Sequence, residues 1–321
     1  MDVRTESEVT AVDTAGKTVT VRHGEETYKE SYDRLVLSPG AAPIRPAIPG
    51  IEENKVFTLR NIPDTYRIYD HIKETAPRSC AVIGAGFIGL EMAENLAERG
   101  VHVTVVEGAS HVMPPIDMDM AHQVHNYIRA QGIDLYLGQT CTAMDKDGVI
   151  LKDGRKIPAD MVILSIGVRP DTGFLKDSGI ELGARGEILV NSYMETSAPD
   201  VYALGDAASV RHIVSGKQVL IPLASPANKQ GRIVGDNLCG RKTAYRGSQG
   251  TSIMKFFGLT VAVTGEKEES LQAQGRAFCK VITTSASQAG YYPGGEMMTV
   301  KTLFEPDTGR ILGAQIVGGK V

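Results

Sequence analysis

The sequence has no tryptophan, only 6% aromatic residues and four cysteines among 321 residues. Cys80, Cys141, Cys239 and Cys279 lie far apart and form no CxxC pair, which argues against a disulfide framework and fits a reducing, cytoplasmic compartment. Long apolar runs are also missing: residues 80–90 form the longest, well short of the ~20 residues that a membrane-spanning helix needs. The start, MDVRTESEV, alternates charge and carries no secretory pattern. Acidic residues number 38 against 34 basic, a net charge of −4, with no Lys/Arg run of the kind that tracks a phosphate backbone, so nucleic acid is not an expected partner. There is neither a GxSxG elbow nor a GxxxxGK[ST] loop, which removes serine hydrolases of that type and P-loop enzymes. His122 and His125 are three apart on an expected helix, but two ligands do not make a zinc site, and no metal is expected.

What is present describes a soluble globular chain of about two domains, at ~150 residues per domain, with 42% hydrophobic and 22% charged residues. Glycine is in excess, 35 of 321 against the usual ~7%, and is spread through short motifs. Such a distribution predicts tight turns and close backbone approach to ligands.

Residues 9–23 alternate apolar and polar around Ala15-Gly16 and predict a β-hairpin; residues 34–38 predict a strand ending at Pro39-Gly40. Pro43, Pro46 and Pro49 make residues 41–50 an extended linker, and 58–72 is expected to be helical after Pro63. Next come a buried strand CAVIG (80–84), a helix FIGLEMAENLAER (87–99) closed by Gly100, a strand VHVTVVE (101–107) and a helix over 118–132. Short strands are expected at 133–137, 140–144 and 149–151, then a buried strand MVILSIG (161–167). EILV (187–190) and VYAL (201–204) predict two more short strands, and 226–238 a helix. From Gly250 onward, five strand-like runs and one short helix near Ser270 predict an antiparallel α+β module, in which MKFFGLTVAV is read as sheet core before dimer face.

The motif with most chemical content is Gly84-Ala85-Gly86-Phe87-Ile88-Gly89, a GxGxxG. Alone it is weak; here it follows a strand, opens a helix and leads to a second strand ending in Glu107, 18 residues after Gly89. Gly84 permits the tight turn, Gly86 lets a pyrophosphate approach the helix N-terminus, and Gly89 allows close helix–strand packing. Glu107 can accept hydrogen bonds from ribose 2′- and 3′-hydroxyls and would repel a 2′-phosphate, which favours NADH over NADPH. A second, weaker signal is TSAPDVYALGD (196–206): a strand ending in Gly205-Asp206 sets a carboxylate at the carboxyl edge of a sheet, where ligands bind in open α/β folds, although an Asp there can equally serve as a cap.

The ordered series SPGA (38–41), GAGFIGLE (84–91), SIGVRPD (165–171), TSAPDVYALGD (196–206), PLASPANKQGR (222–232) and AGYYPG (289–294) resembles the pyridine nucleotide-disulfide oxidoreductases, within them the CoA-disulfide reductase, NADH oxidase and polysulfide reductase branch. FTLRNIPDTYRI (57–68) and AGYYPG favour the CoA-disulfide reductase members. The resemblance implies an α/β protein with Rossmann-like three-layer nucleotide-binding domains plus a truncated C-terminal α+β interface domain that dimerises. It divides the chain into an FAD domain (1–76 and 190–246), an NAD(P)-binding domain (77–189) and an interface domain (247–321). The cofactors implied are FAD and NAD(H), with NADP(H) second, and the acceptor is CoA-disulfide or another low-molecular-weight disulfide or persulfide. Carried over by position, Gly84, Gly86, Phe87, Ile88, Gly89, Glu107 and Gly167 would hold the nicotinamide nucleotide. Ser38, Gly40, Gly205, Asp206, Pro222, Leu223 and Ala224 would hold FAD. Phe87 stands where many relatives have an aromatic gate over the flavin, with a core aromatic the alternative. Glu91, Asn228, Tyr291 and Tyr292 are candidates for the reacting region. Gln288 replaces a histidine found in many members, which weakens any acid–base role near the tyrosines.

The family's own FAD-binding GxGxxG and the redox cysteine that follows it are not found, so the sequence reads as an internal fragment. None of the four cysteines matches the redox position, and all are expected to be inert thiols. The chain alone is therefore expected to bind FAD poorly and to lack thiol-dependent turnover. An NADH oxidase or peroxidase, and a non-catalytic NADH-binding module, are the alternatives.

Overall fold

The computed structural model describes residues 2–52 and 55–321. The chain divides into two units, Met1–Ala42 with Arg169–Gly250 and Pro43–Val168 with Thr251–Val321. Sequence motifs had placed boundaries at 76/77, 189/190 and 246/247; in space, residues 43–76 group with the GxGxxG segment and 169–189 with the first residues of the chain. Five α-helices occur among the described residues: α1 (Ile62–Thr75), α2 (Phe87–Ala97), α3 (Met118–Ala130), α4 (Ala224–Leu238) and α5 (Glu268–Ala273).

The second unit is built on a five-stranded sheet in the order Val56–Phe57, Met161–Leu164, Ser79–Ile83, His102–Glu107, Asp134–Leu137, with every neighbouring pair parallel. Successive side chains of a strand point to opposite faces, and the central strand uses both. Cys80 and Val82 pack with Leu90, Ala93 and Leu96 of α2 and Val124 and Ile128 of α3. Ala81 and Ile83 face Met144, Val149, Leu151 and Ile157 of a three-stranded antiparallel sheet on the other side. The helix α3 buries Met120, Ala121, Val124, His125 and Ile128, the spacing of one helical face. A C-terminal antiparallel sheet, ordered Ser252–Phe256, Leu259–Gly265, Ile311–Gly318, Met297–Phe304, Cys279–Ala286, covers the helices through Met254, Phe256, Val261, Val263 and Val317. The run MKFFGLTVAV is thus largely core, as expected. The last edge strand, Cys279–Ala286, is exposed along its whole length.

The first unit holds a three-stranded antiparallel sheet, Ser7–Asp13, Thr18–His23 and Glu26–Ser31. It also has a parallel pair, Leu35–Leu37 with Val201–Ala203, and α4. Its core gathers Val12, Val19, Val21, Leu37, Val201, Ala203 and Val234.

Three expectations about elements need correction. The helix α1 starts at Ile62 and not at Thr58, because Asn61 forms a capping box with Asp64: the Asn61 side chain accepts from the Asp64 amide at 3.0 Å and Asp64 accepts from the Asn61 amide at 3.2 Å. EILV (187–190) is no strand. Ile188 is buried, but it makes isolated bridges, antiparallel to Leu182 and parallel to Ala208, and the Val190 amide turns to the Ser209 hydroxyl, so neither bridge extends into a ladder. The hairpin at 9–23 gains a third strand, Glu26–Ser31, whose mostly exposed residues gave no apolar alternation.

Candidate functional site

The glycine turn sits at the carboxyl end of the central strand Ser79–Ile83. Gly84 has φ of +103°, and a Cβ there would lie 2.4 Å from the Ser165 carbonyl oxygen. A Cβ on Gly89 would lie 2.0 Å from the Gly84 carbonyl oxygen and 2.7 Å from the Ser165 hydroxyl. Both positions are closed to any side chain by the backbone itself. Gly86 differs: it is the N-cap of α2, its φ of −80° suits any residue, and a Cβ would meet nothing within 4 Å. Two glycines of the motif therefore serve packing, and one keeps space open in front of the helix N-terminus. No side chain caps that terminus, so its first-turn amides and the positive end of the helix dipole face the open space.

Glu107 ends the neighbouring strand, and both of its oxygens are fixed by main-chain donors: Ala85 N–H to Oε2 at 2.7 Å and Ala109 N–H to Oε1 at 2.8 Å. Each oxygen keeps a second lone pair for a ligand hydroxyl. Gly84, Gly86, Glu107 and Gly167 line one crevice of about 460 Å³ together with Pro46, Pro114, Gln139 and Cys141. Gly167, with φ of +116°, also accepts the Ile44 N–H at 3.0 Å. Ser165 Oγ lies 3.0 Å from both the Ile83 and the Gly84 carbonyl oxygens and so braces the turn from below. An anion-receptive helix end, an open glycine and a fixed carboxylate in one crevice fit a dinucleotide: pyrophosphate at Gly86, ribose at Glu107.

Phe87 and Ile88 do not line this crevice among the described residues. Phe87 is half-buried against the core. Ile88 and Glu91 face a groove of about 270 Å³ shared with Ile68, Tyr69 and Ile72 of α1. Partial desolvation there, with Glu94 nearby, raises the Glu91 carboxyl above the usual range.

In the first unit, Ser38 follows the strand Leu35–Leu37 and Gly205 follows its parallel partner Val201–Ala203. A Cβ on Gly205 would lie 3.6 Å from Ser38 Oγ and 4.0 Å from Ala227 of α4. Gly205 has φ of +78°, and its N–H donates at 2.8 Å to Oε1 of Gln230, a fully buried residue of α4. Ser38, Gly205, Asp206 and the start of α4 are thus assembled in one place, and Gly40 is tied in through its carbonyl, which accepts the Asp171 N–H at 3.0 Å. Pro222 and Leu223 lead into α4, whose N-terminus has no side-chain cap. Ala224 and Asn228 are exposed on its first turns. Paired strand ends beside an uncapped helix N-terminus form a second arrangement that could hold a nucleotide cofactor.

Tyr291 and Tyr292 pack against each other with rings tilted by 41°, centroids 4.8 Å apart, and are 82% and 60% exposed. Their loop is tied by Gln288, whose Nε2 donates to the Pro293 carbonyl at 2.7 Å.

Cys80 is buried, and desolvation pushes its thiol far above the usual value. Cys141 is half-buried and borders the nucleotide crevice, a placement its expected strand did not reveal, and burial also raises its thiol. Cys239 and Cys279 are exposed. Cys239 caps the far end of α4, about 24 Å from Leu223 at 1.5 Å per residue.

Sequence reading missed three further residues. Gln230 and Ser165 are polar residues whose neighbours are brought in by the fold. Gln139 lines the crevice with a buried Oε1 that has no donor. One carboxylate cluster also has metal-like spacing: Asp117, Asp119 and Glu268 offer oxygens within 4.8 Å of one another. The ammonium of Lys301 fills its centre, 2.9 Å from Asp117 and 2.7 Å from Asp119, and it also contacts Glu268. No helix among the described residues is long and apolar enough to cross a membrane.

Comparison with known proteins gives a consistent answer. Residues 1–231 match the family described as pyridine nucleotide-disulphide oxidoreductase, and residues 251–321 match its dimerisation domain. The chain is 32% identical to an NAD(P)H sulfur oxidoreductase (CoA-dependent) of Pyrococcus abyssi and 35% identical to an NADH oxidase of Methanocaldococcus jannaschii; each match covers 100% of this chain and 72% of the relative. It is 34% identical to a coenzyme A disulfide reductase of Staphylococcus aureus, over 98% of this chain and 72% of the relative. Among solved structures, reduced CoADR-RHD of Bacillus anthracis superposes on 100% of the chain with a TM-score of 0.97 and 46% identity, and the chain spans 58% of that protein. The chain is a member of the pyridine nucleotide-disulphide oxidoreductase family, an α/β fold with a C-terminal dimerisation domain.

Proposed function

We propose that the chain handles the nucleotides of an NADH-dependent flavoprotein oxidoreductase that reduces a disulfide-type acceptor, CoA-disulfide or a related low-molecular-weight disulfide or persulfide. The observation that carries this reading is the crevice of the second unit, where Gly86 alone of the motif glycines faces open space and Glu107 is held by two amides. The first-turn amides of α2 bind the pyrophosphate, and Glu107 accepts from the ribose hydroxyls and selects NADH over NADPH. Ser38, Gly205, Asp206 and the start of α4 would supply one part of an FAD site, with FAD binding by the chain alone expected to be weak. FAD, when bound, supplies a two-electron relay between a nicotinamide and a thiol. The segment assignment follows the sequence: 1–76 and 190–246 serve FAD, 77–189 serves NADH, and 247–321 forms a homodimer. Exposed Val281, Ile282 and Met297 on the last sheet supply apolar surface for that contact.

Glu107→Ala tests the reading. Hydrogen bonds to a charged acceptor are worth about 1.5–3 kcal/mol, so NADH affinity, read by titration calorimetry, falls at least ~10-fold. The preference for NADH over NADPH shrinks in the same variant. An unchanged NADH/NADPH ratio refutes the role of Glu107.

A further inference from the structure

We propose that His125, on the buried face of α3, is a positioning residue for the nucleotide crevice: it clamps the segment that follows Glu107 and thereby sets the wall against which the adenosine half of the dinucleotide rests. The proposal rests on the dinucleotide reading above and concerns a residue that touches no ligand itself.

The argument is a continuous chain of bonds. The Val112 N–H donates to His125 Nε2 at 3.2 Å, inside the core. The next residue, Met113, is fully buried and holds a left-handed backbone, φ of +56°, which a residue with a side chain adopts only when its surroundings fix it. Its N–H donates at 2.9 Å to the carbonyl of Ala85, inside the glycine turn. Ala85 in turn donates to Glu107 Oε2, and Ala109 closes the circuit on Oε1. Pro114, one residue past Met113, lines the crevice. Segment 108–114 is therefore fastened at Glu107, at Ala85 and at His125. The segment is also held by the Gly138 N–H, which donates to the Ala109 carbonyl at 2.8 Å, and by His111 Nε2, 3.9 Å from Glu269 Oε1, but the His125 bond is the one adjoining Met113 and Pro114. An imidazole can accept at Nε2 only while that nitrogen is unprotonated. Burial, followed by His122, Arg129 and His111, pushes His125 down to about 4, so the acceptor persists at neutral pH. The far end of the segment is held separately: the Asp117 N–H donates to Gln315 Oε1 at 2.8 Å.

The test compares His125→Leu, which removes the acceptor and strands the Val112 amide, with His125→Gln, whose amide oxygen can accept it. NADH and reduced nicotinamide mononucleotide are the probes, titrated well below the melting midpoint of each variant. The expected result is at least a 5-fold weaker NADH affinity for H125L and recovery to within about 2-fold for H125Q. Binding of the mononucleotide, which has no adenosine to rest on the wall, does not change. Equal weakening for both probes identifies a merely structural residue and overturns the proposal, as does wild-type NADH affinity in H125L. If H125L does not fold, His125→Asn, too short to reach Val112, takes its place against H125Q under the same criteria. Glu107→Ala is run alongside: if it leaves NADH binding unchanged, the dinucleotide reading fails, whereas a weakened E107A with a normal H125L removes only the role of His125.

Discussion

Lys301→Met is the sharpest test of how the C-terminal sheet is fastened to the nucleotide-binding layer of the second unit. Lys301 has no solvent exposure, and its ammonium contacts Asp117, Asp119 and Glu268. Burial pulls the ammonium down, but its bonds to Asp119, Glu268 and Asp117 outweigh this and leave it above the usual lysine value. Burial likewise pushes Asp119 up and the Lys301 bond outweighs it, so its carboxyl titrates below the usual range. Methionine matches the length of lysine and leaves three carboxylates facing one another, relieved by half-exposed Lys280, 2.8 Å from Glu268 and 3.4 Å from Asp119, and by the Gln315 side-chain amide on Asp117. Breaking a buried ion pair from one side costs about 3–5 kcal/mol. For a unit of this size that is a fall in melting midpoint of roughly 6–20 °C, at about 2–4 °C per kcal/mol. The pH dependence carries the sign. In the native protein Asp119 is stabilising above its ordinary pKa of about 3.9, and that contribution is lost as pH falls through its lowered value. In the variant like charges face one another without the ammonium, so their repulsion fades as pH falls and they take up protons. Urea denaturation of both proteins at pH 7.5 and pH 5 reads this directly. A loss below about 1 kcal/mol, or an equal loss at both pH values, would refute the reasoning.

Other outcomes follow from the same geometry. Gly86→Ala folds with an unchanged midpoint, since its Cβ meets nothing within 4 Å, yet NADH affinity falls because the methyl stands where the pyrophosphate approaches. Gly89→Ala behaves oppositely: a Cβ 2.0 Å from a carbonyl oxygen forces a backbone shift that costs about 1–3 kcal/mol of stability, readable by thermal melting without any nucleotide. Under native conditions a thiol reagent labels Cys239 and Cys279 promptly, Cys141 slowly and Cys80 only after unfolding; saturating NADH slows Cys141 further, because that residue borders the crevice. Prompt native labelling of Cys80 would contradict its placement in the central strand.

The sequence by itself determined the nucleotide-binding strand–helix–strand unit. Its signals are local: a continuous apolar run in SCAVI, a glycine turn, a helical apolar spacing in α2 and a carboxylate at the end of the next strand, each tied to a short stretch of backbone. The order of motifs likewise carried the family and the fold class. Only the tertiary structure decided which glycine is open and which are closed, because that depends on Ser165, about eighty residues away along the chain. The same holds for Gln230 under Gly205, for His125 under Val112 and for Lys301 among three carboxylates drawn from α3 and α5. EILV shows the converse: its apolar run records burial, but whether burial becomes a strand depends on which backbones come alongside, and here they give isolated bridges to Leu182 and Ala208. Periodicity and turn chemistry act over a few residues and can be read along the chain. The partner of a buried polar group lies across the core, and only folding chooses it.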